Sequence, residues 1–222
     1  MSFSQNLKNR LKAALGSVGA LTEFNNIYDV ATAGTVEASK AVVASASKGA
    51  TGLILNPSGL ATGAGAGITG GTGTVYKNSL RREGNLYITS ILIDLTGLGS
   101  STTDLDIIGQ GASAAYIAKL TAAECGTTIL AAQMTCLEAP ATGVTDIDLY
   151  SATEGTGVFD GGIAALAETA VITAGGAWAN GTVKAATTVP LSTEYLYLTC
   201  GAAGTVGTYT AGKFLIELYG YD

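Results

Sequence analysis

Short runs of alternating apolar and polar residues dominate the chain from residue 86 onward. In KFLIELYGYD, Phe214, Ile216 and Leu218 share one side, and Lys213, Leu215, Glu217 and Tyr219 share the other. A period of two is the signature of a strand with one face on a core. Its second face is mixed, suited to water or to another subunit. Tyr195 and Tyr197 likewise lie opposite Leu196 and Leu198. The pattern predicts strands over 86–95, 115–120, 128–138, 146–151, 167–173, 182–189, 194–200 and 208–219. Turn signals fall between them: Pro140 with Gly143, Gly155 with Gly157, Gly175-Gly176 and Asn180-Gly181. TAAECG at 121–126 reads as a one-turn helix or tight loop, and DGGIAALAETA as a short helix or as loop and strand. The expected fold is mainly β, an antiparallel β-sandwich of jelly-roll-like form.

Upstream the pattern changes. Residues 1–84 are rich in Gly, Ala, Ser and Thr and poor in large apolar side chains. They read as a long extended arm with one short helix, and residues 85–222 as the β body. Leu7, Leu11, Ala14 and Leu15 fall at helical spacing, with Ser4 placed to cap the start and Gly16 to end it. A helix of about three turns is marginal alone, so it either docks on a partner or frays at the surface. The run 31–55 fits a helix over 36–46 or a period-two strand, and its β-branched, Ser- and Thr-rich content favours strand. From Gly49 to Tyr76 there is no charged residue. Its glycines lack the strand, helix and distal acid of a dinucleotide fingerprint, and no Walker lysine closes them. Glycine there lets the backbone lie flat against a neighbour.

Charge follows the same division. Residues 1–84 hold eight of the 11 Lys and Arg and four of the 17 acids, a net of +4. Residues 85–222 hold three bases and thirteen acids, a net of −10, and the two sum to −6. Lys77, Arg81 and Arg82 form a basic cluster at the junction. It reads as a solvated hinge or as an ionic clamp on an acidic partner or a neighbouring copy. The −10 body would repel phosphate, so nucleic acid is not an expected partner. Only 13% of residues are charged, about half the usual share, which favours association with copies or partners.

Candidate chemistry is sparse. With no histidine, the usual general base, metal ligand and Ser-His or Cys-His pairings are missing. Cys125, Cys136 and Cys200 have neither zinc nor disulfide-framework spacing and are expected to be buried thiols. Asp146 and Asp148 share a strand face, and Asp104 and Asp106 repeat the spacing. Exposed carboxylates, a calcium site or a catalytic pair are the alternatives. Trp178 reads as a loop aromatic tucked on the core edge or as a sugar-stacking platform. No cofactor and no metal are expected. No secretory leader and no run of 18 apolar residues are found, so a membrane is not an expected partner and a reducing cytoplasm is the expected place of synthesis.

Three stretches carry a resemblance: TVYKNSLRREGNLYITSILIDLTGL, then MTCLEAP with DIDLYSATEGTG, then EYLYLTCGAAGT with YTAGKFLIELYGY. Together with the arm motif from Thr35 to Gly52, they resemble head decoration (capsid cement) proteins of tailed bacteriophages. The resemblance implies a non-enzymatic virion protein on the capsid surface, assembled in the host bacterial cytoplasm. Its implied partners are the major capsid protein and further copies of itself, as trimer or dimer. A fibre-type protein recognising host glycan is the alternative. Leu7, Leu11, Leu15, Lys77, Arg81 and Arg82 are the candidate contact residues.

Overall fold

The computed structural model describes residues 63–222, Thr205 excepted. The fold is mainly β, with antiparallel sheets. The strands are β1 (Val75–Glu83), β2 (Leu86–Asp94), β3 (Gly99–Ser100), β4 (Ala118–Lys119), β5 (Thr128–Ala141) and β6 (Ile147–Ala152). They continue with β7 (Glu168–Ile172), β8 (Val183–Ala185), β9 (Tyr195–Cys200), β10 (Gly207–Thr208) and β11 (Ala211–Tyr221). A five-stranded sheet has the order β1-β2-β11-β5-β8, and a four-stranded sheet the order β4-β9-β6-β7. β3 and β10 form a separate two-stranded ribbon. TAAECG supplies the one-turn helix Ala122–Cys125, and the DGGIAALAETA run a 3-10 turn, Ile163–Leu166, followed by β7.

Both larger sheets feed one hydrophobic cluster. Ile91, Ile93, Met134, Phe214 and Ile216 enter from the five-stranded sheet, and Ile147, Leu149, Leu196 and Leu198 from the four-stranded one. Burying each such side chain stabilises by about 1.5–3 kcal/mol. Trp178 closes one part of the cluster. Its ring meets Phe214 edge-on at 5.3 Å, and its indole N–H donates to the Ile147 carbonyl at 2.8 Å. With 3% exposure it is a core residue, and the sugar-platform alternative is corrected.

The expected division after residue 84 falls inside a hairpin. β1 pairs with β2 from Val75↔Asp94 to Glu83↔Leu86, and the loop between them is Gly84-Asn85. Gly84 has φ of +63°, as the first position of a two-residue II′ turn requires. The preceding residues also belong to the body. Ile68, in the helical turn Ala66–Thr69, is fully buried. The N–H groups of Gly65 and Gly67 donate to the carbonyls of Tyr116 and Ala114 at 2.9 and 2.8 Å. A Cβ at Gly65 would stand 2.1 Å from the Ala114 carbonyl oxygen. Among the described residues of this run, Gly65 and Gly67 approach a neighbouring backbone closely, and that neighbour is the body itself. β1 was hard to read because its side chains alternate only between exposed and half-buried, and end fully exposed. The Leu7, Leu11 and Leu15 stripe and the run 31–55 lie outside the described residues.

Candidate functional site

β1 carries the three basic candidates, and the strand period separates them. Lys77 and Arg81 are four apart and share a face, while Arg82 points to the other. Arg82 is occupied locally. Its guanidinium lies over the Tyr87 ring at 4.6 Å and 3.8 Å from the Asp222 carboxylate, and its Nε donates to the Gly84 carbonyl at 2.9 Å. The Tyr87 hydroxyl also donates to Asp222. That bond holds the tyrosine up and the carboxylate down from their ordinary pKa values. Arg81 has an exposed contact to Glu83 at 3.3 Å. The expected cluster of three is therefore a pair, Lys77 and Arg81, on the rim of the five-stranded sheet.

The face under that pair is mixed and open. Register places Lys77, Leu92, Leu215, Thr135 and Val183 in one row, and Arg81, Ile88, Tyr219 and Ala131 in the next. Val75, Val183 and Tyr221 are exposed and Ile88 is buried, and Leu92 and Leu215 are half-buried. A polar row crosses one end. Lys213 lies 2.5 Å from Glu138 and 3.4 Å from Asp94. Its hydrogen bond to Glu138 raises the Lys213 pKa. For Asp94, burial acts upward but is outweighed by hydrogen bonds from Thr96 and the charge of Lys213, so its pKa is lowered. Gln133 donates to Glu217 at 2.7 Å. The sequence marked the β11 part of this face as mixed. Ile88, Leu92 and Val183 were missed, although the alternation of LYITSILID held the signal for the first two.

Of the paired aspartates, Asp148 and Asp106 are bonded within the fold. Asp148 accepts the Ala174 N–H at 2.5 Å, and burial raises its pKa. Asp146 Oδ1 is buried with no hydrogen-bond partner. A Cβ at Gly201 would stand 2.8 Å from Oδ1 of both carboxylates, so glycine makes room for them. Asp106 accepts the Ser101 hydroxyl at 2.6 Å. Among the described residues, no group of three or more His, Cys, Asp and Glu side chains is placed to hold a metal ion. The three cysteines are free and buried. Burial pushes the Cys125 and Cys200 thiols up to about 11, so neither is a ready thiolate nucleophile.

One concavity was not foreseen. A cleft of about 740 Å³ opens beside the β3–β10 ribbon, lined by Thr72, Thr96, Gln110, Phe159, Thr208 and Tyr209 among others. Tyr209 turns its hydroxyl inward, to the Val144 carbonyl at 2.8 Å. The lining residues come from several separate stretches of chain, so no local motif announced the cleft. Comparison with protein-family models, curated proteins and solved structures finds no match to this chain.

Proposed function

We propose that this chain is a non-enzymatic virion structural protein that decorates, or cements, the outer surface of a tailed-phage capsid. In this reading the two larger sheets are the layers of an antiparallel sandwich, and the segment before residue 63 runs along the coat lattice. The observation that carries it is the open mixed face of the five-stranded sheet, with Lys77 and Arg81 on its rim. Such a face makes many modest contacts, and repetition over a closed shell multiplies them. Asp94, Asp106 and Asp148 are held by partners within the fold, and burial keeps the Cys125 and Cys200 thiols protonated, which favours a binding role over a reaction. The sequence resemblance supplies the capsid as the surface. Co-sedimentation with expanded phage heads tests it. The full chain should co-sediment, and a chain starting at residue 63 should do so much more weakly. A full chain that stays in the supernatant overturns the capsid reading. A truncated chain that binds equally well removes only the arm.

The cleft favours a second reading, recognition of host glycan. Phe159, Gln110 and the threonine hydroxyls offer the ring-and-hydroxyl chemistry a sugar needs. Glycan-array binding that Phe159→Ala abolishes would support it, and a blank array would end it.

A further inference from the structure

We propose that β1 pairs edge to edge with β1 of a second copy, in one antiparallel register centred on Leu80. The inference does not depend on the capsid reading. β1 ends the five-stranded sheet, and among the described residues β2 is its only strand neighbour. The hydrogen-bonding phase of the edge is fixed. The Leu95 N–H donates to the Gly212 carbonyl on the β11 side at 2.8 Å. Backbone groups alternate in direction along a strand, so even-numbered residues of β2 face β1. Their partners in register are the odd-numbered residues of β1. The N–H and C=O groups of Leu80 and Arg82 therefore face away from β2.

Exposed edges are usually blunted with charge. Here the charges match themselves in one register. With Leu80 opposite Leu80, Lys77 stands opposite Glu83 of the second copy, twice by symmetry, and Ser79 stands opposite Arg81. These odd-numbered positions form the closer, non-hydrogen-bonded pairs, where side chains interact most strongly. Shifting the centre to Ser79 sets Lys77 against Arg81, two like charges. A shift by a single residue pairs outward groups with inward ones and breaks the ladder. Lys77, Arg81 and Glu83 are all exposed, so no packing holds them from a partner. The same pairing would join two open mixed faces into one.

Sedimentation of the full chain over about 10 µM to 1 mM, the range of weak association, tests the proposal. A concentration-dependent dimer is expected. Leu80→Pro removes an outward N–H and leaves the β1–β2 bonds intact, so it should give a monomer that still melts cooperatively. Lys77→Glu and Glu83→Lys should each weaken the dimer about tenfold or more. Mixing those two variants sets a carboxylate opposite an ammonium at both symmetry-related contacts, and should restore association. The mixing experiment holds even if Leu80→Pro fails to fold. A chain that stays monomeric, or charge variants that do not complement on mixing, would overturn the proposal. Binding of an acidic extended peptide to β1 of a strictly monomeric chain would overturn it too, and would assign the edge to a foreign strand.

Discussion

In β11, buried and half-buried residues alternate for ten positions, whereas all six residues of β6 are buried. Both strands carry an apolar face and a mixed or polar one, so the contrast does not come from the strands themselves. It comes from what lies on their second faces. The five-stranded sheet leaves that face open. In the four-stranded sheet, Asp148, Tyr150, Tyr197 and Thr199 are covered. Ile107 bridges to Thr199, and the Tyr197 hydroxyl donates to the Glu154 carbonyl at 2.8 Å. Sealing polar side chains this way is costly without internal partners. The segment 153–167 supplies them for Tyr197 and Ala174 for Asp148, while Thr199 Oγ1 is buried without one. A covered sheet holds shape, and an open one is available to neighbours.

The largest test compares adjacent residues on β11. Phe214→Ala should lose about 4 kcal/mol of stability, and Leu215→Ala about 1 kcal/mol or less, by chemical denaturation. Equal losses would mean that the second face is not open. On β9 the contrast should vanish. Tyr197→Ala and Leu198→Ala should each lose about 3 kcal/mol, and a mild Tyr197→Ala would break the comparison. Gly65→Val should lose about 2 kcal/mol, because its side chain meets the Ala114 carbonyl. A neutral result there would return residues 63–71 to the arm.

The two sheets should also differ in sign with pH. Asp148 has a raised folded pKa, so the fold binds its proton more tightly than the unfolded chain does. Stability then falls as pH rises from the ordinary 3.8 through the folded value. Asp94 has a lowered folded pKa. Its contribution is present above 3.8 and is lost as pH falls through the folded value. Melting curves from acid to neutral pH should show Asp148→Asn removing a loss of stability at neutral pH, and Asp94→Asn removing a gain. Shifts of the same sign would contradict the environments described. The smallest expected effect is Arg81→Ala, within about 0.5 kcal/mol of wild-type stability.

The strands with a strongly buried face were legible in the sequence. β2, β9 and β11 announce themselves by alternation, and their core residues fall where the pattern puts them. β1 was not, because this edge strand has one exposed face and an inner face that is only half-buried, so it shows no strong apolar row. The same lesson separates the basic residues. Arg81 and Arg82 are neighbours in sequence, yet adjacent residues of a strand point apart, and Arg82 is spent on Tyr87 and Asp222. The cleft was invisible because it is made largely of glycines and threonines that only the fold assembles. The buried role of Trp178 was foreseeable as a tucked aromatic, but not its seat on Phe214.

β11 stands between β2 and β5, bonded to both, and it comes last of the strands in chain order. A ribosome must therefore finish residue 221 before the halves of that sheet can be joined. Until then β2 and β5 each present an unsatisfied apolar edge, which favours aggregation or capture by chaperones. A chain cut short before residue 211 would lose the seam of its sheet, and with it the means to become a folded protein.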